Sequence, residues 1–142
     1  MDKYLKRSVS YVVSLFLVTL LVVYVFNVPT LLTGANKLVY EYYYENMVSS
    51  FIFDLFLVAI YLSIIMFFIK QLNIDKYEHK IIVSICVTMT ISSIFMILFN
   101  NGFKKGSFFS RWFKQARFNA VIYDGFFVTL IYISMNFIHK YI

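Results

Sequence analysis

The amino-acid sequence predicts an all-α membrane protein with four transmembrane helices. Four apolar runs carry that prediction: 9–28, 51–69, 81–99 and 120–138. Each is about 20 residues long, which at roughly 1.5 Å per residue spans the ~30 Å hydrocarbon core of a bilayer. Composition agrees. Hydrophobic residues make up 61% of the chain and charged residues 14%, where a soluble domain carries about 25% charged residues; the mean hydropathy is +0.77. The connections are too short to hold a second domain, so residues 1–142 are read as one four-helix unit.

Helix one follows Lys3, Lys6 and Arg7, and Thr33-Gly34-Ala35 loosely suits a signal-peptide cleavage site. Its apolar run exceeds the roughly 7–15 residues of a signal core, so it is read as a retained span. Pro29 is expected to end or kink it, with Gly34 capping a short continuation. The first connection, LVYEYYYENM, is aromatic and acidic, and i, i+4 spacing puts Glu41 and Glu45 on one helical face. Helix two is followed by a short polar turn. There Asp75-Lys76-Tyr77-Glu78 has the form of a capping box opening helix three. Helix three carries Ser84, Thr88 and Ser92 at i, i+4 and i+8, and helix one carries Ser10 and Ser14. Small hydroxylated stripes let membrane helices approach closely, so packing is their expected use; Asn136 and the lone Cys86 are read the same way. Asn100-Asn101-Gly102 stops helix three.

The third connection reads SFFSRWFKQAR from Ser107 to Arg117. At helical spacing Phe108, Phe109, Trp112, Phe113 and Ala116 form one face, and Arg111, Lys114, Gln115 and Arg117 lie largely opposite. Ser107 suits an N-cap. Such a helix is expected in the interface, with Trp112 and Phe113 in lipid and Arg111, Lys114 and Arg117 among headgroups. Anionic lipid would favour it by about 1 kcal/mol per well-placed cation. An anchor for helix four is the reading preferred to a membrane-bending wedge, because aromatic belts are general in membrane proteins. Charge also allows Glu41 and Glu45 to pair with Arg111, Lys114 or Arg117 across the two connections.

Residues 51–70 and 121–140 align at an offset of 70, placing Ile52, Asp54, Phe56, Val58, Phe67 and Lys70 on identical residues. The matching aspartates weigh most, since the chain has only four Asp. The offset predicts two tandem helical hairpins, 1–70 and 71–142, related by an axis along the membrane normal. Asp54 and Asp124 are the candidate site for an ion or a proton, because intramembrane acids often line such paths. If helix two starts at residue 51, Asp54 lies about 4–5 Å into it; a start near residue 47 makes that about 10 Å. A structural role is preferred, because shallow acids cost less than central ones.

No H-E-x-x-H, C-x-x-C, G-x-S-x-G or phosphate loop occurs. No catalytic, cofactor-binding or metal-binding residue is therefore assigned, His79 and His139 included. With both termini on one side, that side carries seven cations and the other six, from the Lys and Arg positions in the sequence. The positive-inside rule needs a larger bias, though the three cations before helix one favour an inside N-terminus. The cationic connections face a membrane before any nucleic acid.

The stretch WFKQARFNAVIYD, residues 112–124, and the Phe/Tyr/Ile/Asn-rich style resemble small multispan membrane proteins of large DNA viruses. That resemblance implies an integral protein of viral or host membranes and brings no catalytic residue. The expected function is non-enzymatic: a structural, accessory or membrane-organising component. Its expected partners are the bilayer and, through homo-oligomers or other proteins, further transmembrane helices. The alternative is a small oligomeric ion or proton channel or transporter using Asp54 and Asp124.

Overall fold

The computed structural model of the protein describes residues 2–142. α1 (Lys3–Thr19) runs without a break into a π-helical segment (Leu20–Val25). Asn27 then takes the left-handed conformation, φ 54, which Asn tolerates better than most residues. α2 (Val28–Thr33) follows with Pro29 in its first turn, and Gly34 at φ 68 closes it. The break after helix one therefore falls at Asn27, while Pro29 starts the next helix. α3 (Asn36–Tyr40) continues into a second π segment (Glu41–Glu45). The remaining helices are α4 (Met47–Gln71), α5 (Tyr77–Asn101), α6 (Phe108–Ala116) and α7 (Phe118–Tyr141).

Among the described residues four helices are long and apolar enough to cross a membrane: Lys3–Val25, α4, α5 and α7. α4, α5 and α7 extend past both ends of their apolar runs because flanking residues continue the same helix, whereas the first helix extends only at its start and ends at Val25, three residues before its run does. Ser107 caps α6, its Oγ accepting from the Ser110 N–H at 3.4 Å. Gly102 ends α5 as expected. The capping box does not form: Lys76, not Asp75, is the extended residue before α5, and it makes no side-chain cap bond. The helix starts one position too late for Asp75 and Glu78 to reciprocate.

α7 is the central helix, packing on both α1 and α5, while α4 packs mainly on α5. Half of the apolar window of α7 is buried, against 17% for α5, so α5 presents the most surface to its surroundings. The seam between α1 and α4 is bridged by long side chains. The Tyr11 hydroxyl donates to the Leu55 carbonyl at 2.5 Å, and Phe16 meets Phe51 edge-on at 6.3 Å.

The hydroxyl stripe of α5 is a packing surface. Ser84, Thr88 and Ser92 are all fully buried, as are Ser10 and Ser14 on α1. Ser84 and Thr129 share a hydrogen bond at 3.2 Å between α5 and α7. Cys86 is exposed and takes no part in that packing. Close approach also explains Gly125, where an added Cβ would stand 2.9 Å from Met89 Cγ. Gly125→Leu is expected to destabilise the protein by about 1–3 kcal/mol through overpacking, read as a lowered melting temperature in detergent.

Candidate functional site

α4 begins at Met47, so Asp54 lies about 10 Å along it, the deeper of the two positions considered above. The apolar side chains around it leave Asp54 only 7% exposed. The Tyr42 hydroxyl donates to Asp54 Oδ1 at 2.5 Å. On α7, Asp124 accepts at Oδ2 from the Ser92 hydroxyl at 2.5 Å. Both carboxylates line a single cavity of about 160 Å³, among the rings of Tyr42, Tyr43, Tyr61 and Tyr123. The two acids that the sequence aligned are thus brought to one space.

α6 roofs that space. Its apolar face is turned toward protein, contrary to the lipid-facing orientation expected for Trp112 and Phe113, which are 6% and 3% exposed. Phe113 stacks on Phe99 at 5.8 Å, and Phe108 stacks on Tyr42 at 4.8 Å. Trp112 meets Tyr123 edge-on at 6.3 Å. The physical reason is that the protein supplies rings of its own: Phe99 from α5, Tyr123 from α7 and Tyr42 from connection one. Aromatic pairs gain about 0.5–1.5 kcal/mol beyond area burial, so protein outcompetes lipid chains as a partner for this face.

The cations of connection three divide. Arg111 grips Glu41 bidentately, at 2.7 and 3.0 Å. That hydrogen bond holds the Glu41 carboxyl below its ordinary value and raises the Arg111 guanidinium. Lys114 is exposed and sits over the Phe103 ring at 4.4 Å, and Arg117 is exposed. Glu45 is exposed and forms no ion pair among the described residues. Of the pairings that charge allowed, the structure makes one.

Residues without charge complete the site, and the sequence marked none of them as a partner for the acids. Tyr42 and Tyr43 sit in the YYY run, whose only sequence signal is aromatic density. Burial, then the neighbouring Asp54 charge, push the Tyr42 phenol far above its usual range, so it stays a donor. The Tyr43 and Tyr123 hydroxyls share a hydrogen bond at 2.7 Å, and the Tyr24 hydroxyl donates to the Tyr43 carbonyl at 2.5 Å. Ser92 belonged to the packing stripe and also serves Asp124.

Four apolar spans with buried polar cross-links define a multi-pass α-helical membrane protein. No family model, curated protein or solved structure matches the chain.

Proposed function

We propose that the protein is a non-enzymatic multi-pass membrane protein of the structural or accessory kind, built as a cross-braced frame. One observation carries this reading: four side-chain polar contacts beneath or beside α6 each join two separate segments. Glu41 and Arg111 tie the two long connections together. Tyr42 ties connection one to α4, Tyr43 ties it to α7, and Ser92 ties α5 to α7. Groups engaged in this way hold architecture. The outward surface of α5 offers a seat for partner helices or a second copy, and the resemblance in residues 112–124 points to a viral or host membrane.

Duplication of a helical hairpin is part of the proposal. Glu41 and Arg111 stand 70 residues apart, as Asp54 and Asp124 do. α4 and α7 begin and end at nearly the same offset, which supports a common origin for the two halves.

A second reading, a small ion or proton channel or transporter, is favoured by the convergence of both acids on one cavity. Asp54→Asn and Asp124→Asn separate the two. The Asn carbonyl can still accept from Tyr42 or Ser92, so both variants are expected to fold. Proteoliposomes holding the wild-type protein are expected to conduct no more than empty ones. Flux that depends on pH and vanishes in either variant would instead establish the transport reading.

A further inference from the structure

The seam between α1 and α4 holds a second cavity, of about 430 Å³. That volume falls within the roughly 300–1,000 Å³ of small-molecule sites. Phe16, Leu20, Val48 and Ile52 line it and are between 41% and 70% exposed, so it opens toward the bilayer. Its polar end is formed by Asp54, Thr19, Tyr24 and Tyr43. The π segment Leu20–Val25 supplies Leu20 and Tyr24 to this lining, and π turns inside helices recur at functional sites.

Two polar groups there lack what burial demands. Thr19 is 7% exposed, and its Oγ1 has no hydrogen-bond partner among the described residues. Buried hydroxyls are normally satisfied, and an orphan calls for an explanation. Asp54 receives the Tyr42 bond at Oδ1, while Oδ2 accepts none among the described residues. Among the described residues no Lys or Arg lines the cavity. A carboxylate in apolar surroundings is stabilised by a counter-charge.

We propose that this seam binds a single-chain amphiphilic amine drawn from the bilayer. The ammonium pairs with Asp54 and donates a hydrogen bond to Thr19 Oγ1. The Tyr24 and Tyr43 rings flank it, and aromatic faces attract cations. The hydrocarbon chain lies along Phe16, Leu20, Phe51 and Ile52. A neutral alcohol would leave the carboxylate unmatched. A phospholipid would set its phosphate against Asp54 and bring a second chain. The site goes beyond the structural reading: one oxygen of Asp54 braces the frame and the other meets the ligand.

Dodecylamine is the probe, with radiolabelled binding to the protein in nanodiscs and dodecanol as the neutral competitor. Saturable binding above that of empty nanodiscs is expected, with dodecanol competing at least tenfold more weakly. Thr19→Val should weaken binding roughly tenfold by removing a hydrogen bond to a charged group. Ile52→Trp, which fills the cleft, should abolish it, and so should Asp54→Asn. Ile97→Trp, on the exposed side of α5, should leave it unchanged. Thr19→Val and Ile52→Trp keep the test decisive should Asp54→Asn fold poorly. Non-saturable uptake equal to that of empty nanodiscs would overturn the proposal. So would equal affinity for dodecanol, or wild-type affinity in both Thr19→Val and Ile52→Trp.

Discussion

Trp112→Ser is expected to destabilise the protein by about 3–5 kcal/mol, the usual cost of removing a buried large aromatic side chain. Trp112 is 6% exposed and packs between Phe108 and Tyr123. Phe113→Ser, at a ring 3% exposed against Phe99, should cost nearly as much. Unfolding in detergent, followed by near-ultraviolet circular dichroism, measures both. The result distinguishes a protein-facing α6 from a lipid anchor. An anchor would lose membrane association while keeping its stability in detergent, whereas a roof helix would lose stability first and loosen the cavity beneath it. Unchanged unfolding in both variants would mean that the rings face lipid.

Reversing one charge of the Glu41–Arg111 pair tests the other tie between the two connections. The pair is bidentate, but its side chains are 31% and 32% exposed, so screening by solvent limits its worth to about 1 kcal/mol. Arg111→Glu adds repulsion to that loss and is expected to cost about 1–2 kcal/mol. Combining it with Glu41→Arg should recover most of the stability; a double variant no better than either single one would refute the pairing. The pH dependence has a definite sign. Because Arg111 lowers the Glu41 value, the pair's contribution is present above the ordinary 4.5 and fades as pH falls through the lowered value. Melting measured down through that range should show a loss that Glu41→Gln removes.

Much of the frame was legible in the sequence because the bilayer imposes a coarse rule: about 20 apolar residues make a span. All four spans appear where hydropathy put them. Most of their ends moved outward because helical backbone continues into flanking residues such as Met47 and Tyr77, which no apolar run includes; the first span instead stops at Val25, short of its run's end at Val28, because the chain breaks at Asn27. Local signals did unevenly. Ser107 and Gly102 act as their chemistry predicts, whereas Asp75 misses its box by one position. The orientation of α6 could not be read from its own amphipathicity. A helix with one apolar face seeks an apolar partner, and Trp112 and Phe113 do not reveal whether lipid or Phe99 and Tyr123 will supply it. The site divided similarly. Asp54 and Asp124 stood out because charge in an apolar run is costly. Tyr42 and Ser92 did not, because hydroxyls in such runs more often serve packing, and only tertiary contact brings them to a carboxylate.

Connections one and three close over the cavity within a single chain. Cysteine cross-linking in native membranes tests this directly, with Glu41→Cys and Arg111→Cys introduced together on a Cys86→Ser background. The 2.7 Å contact between the two side chains predicts rapid, concentration-independent linkage within one chain by a short bifunctional thiol reagent. Absence of linkage, or linkage only between chains, would contradict the cross-braced frame.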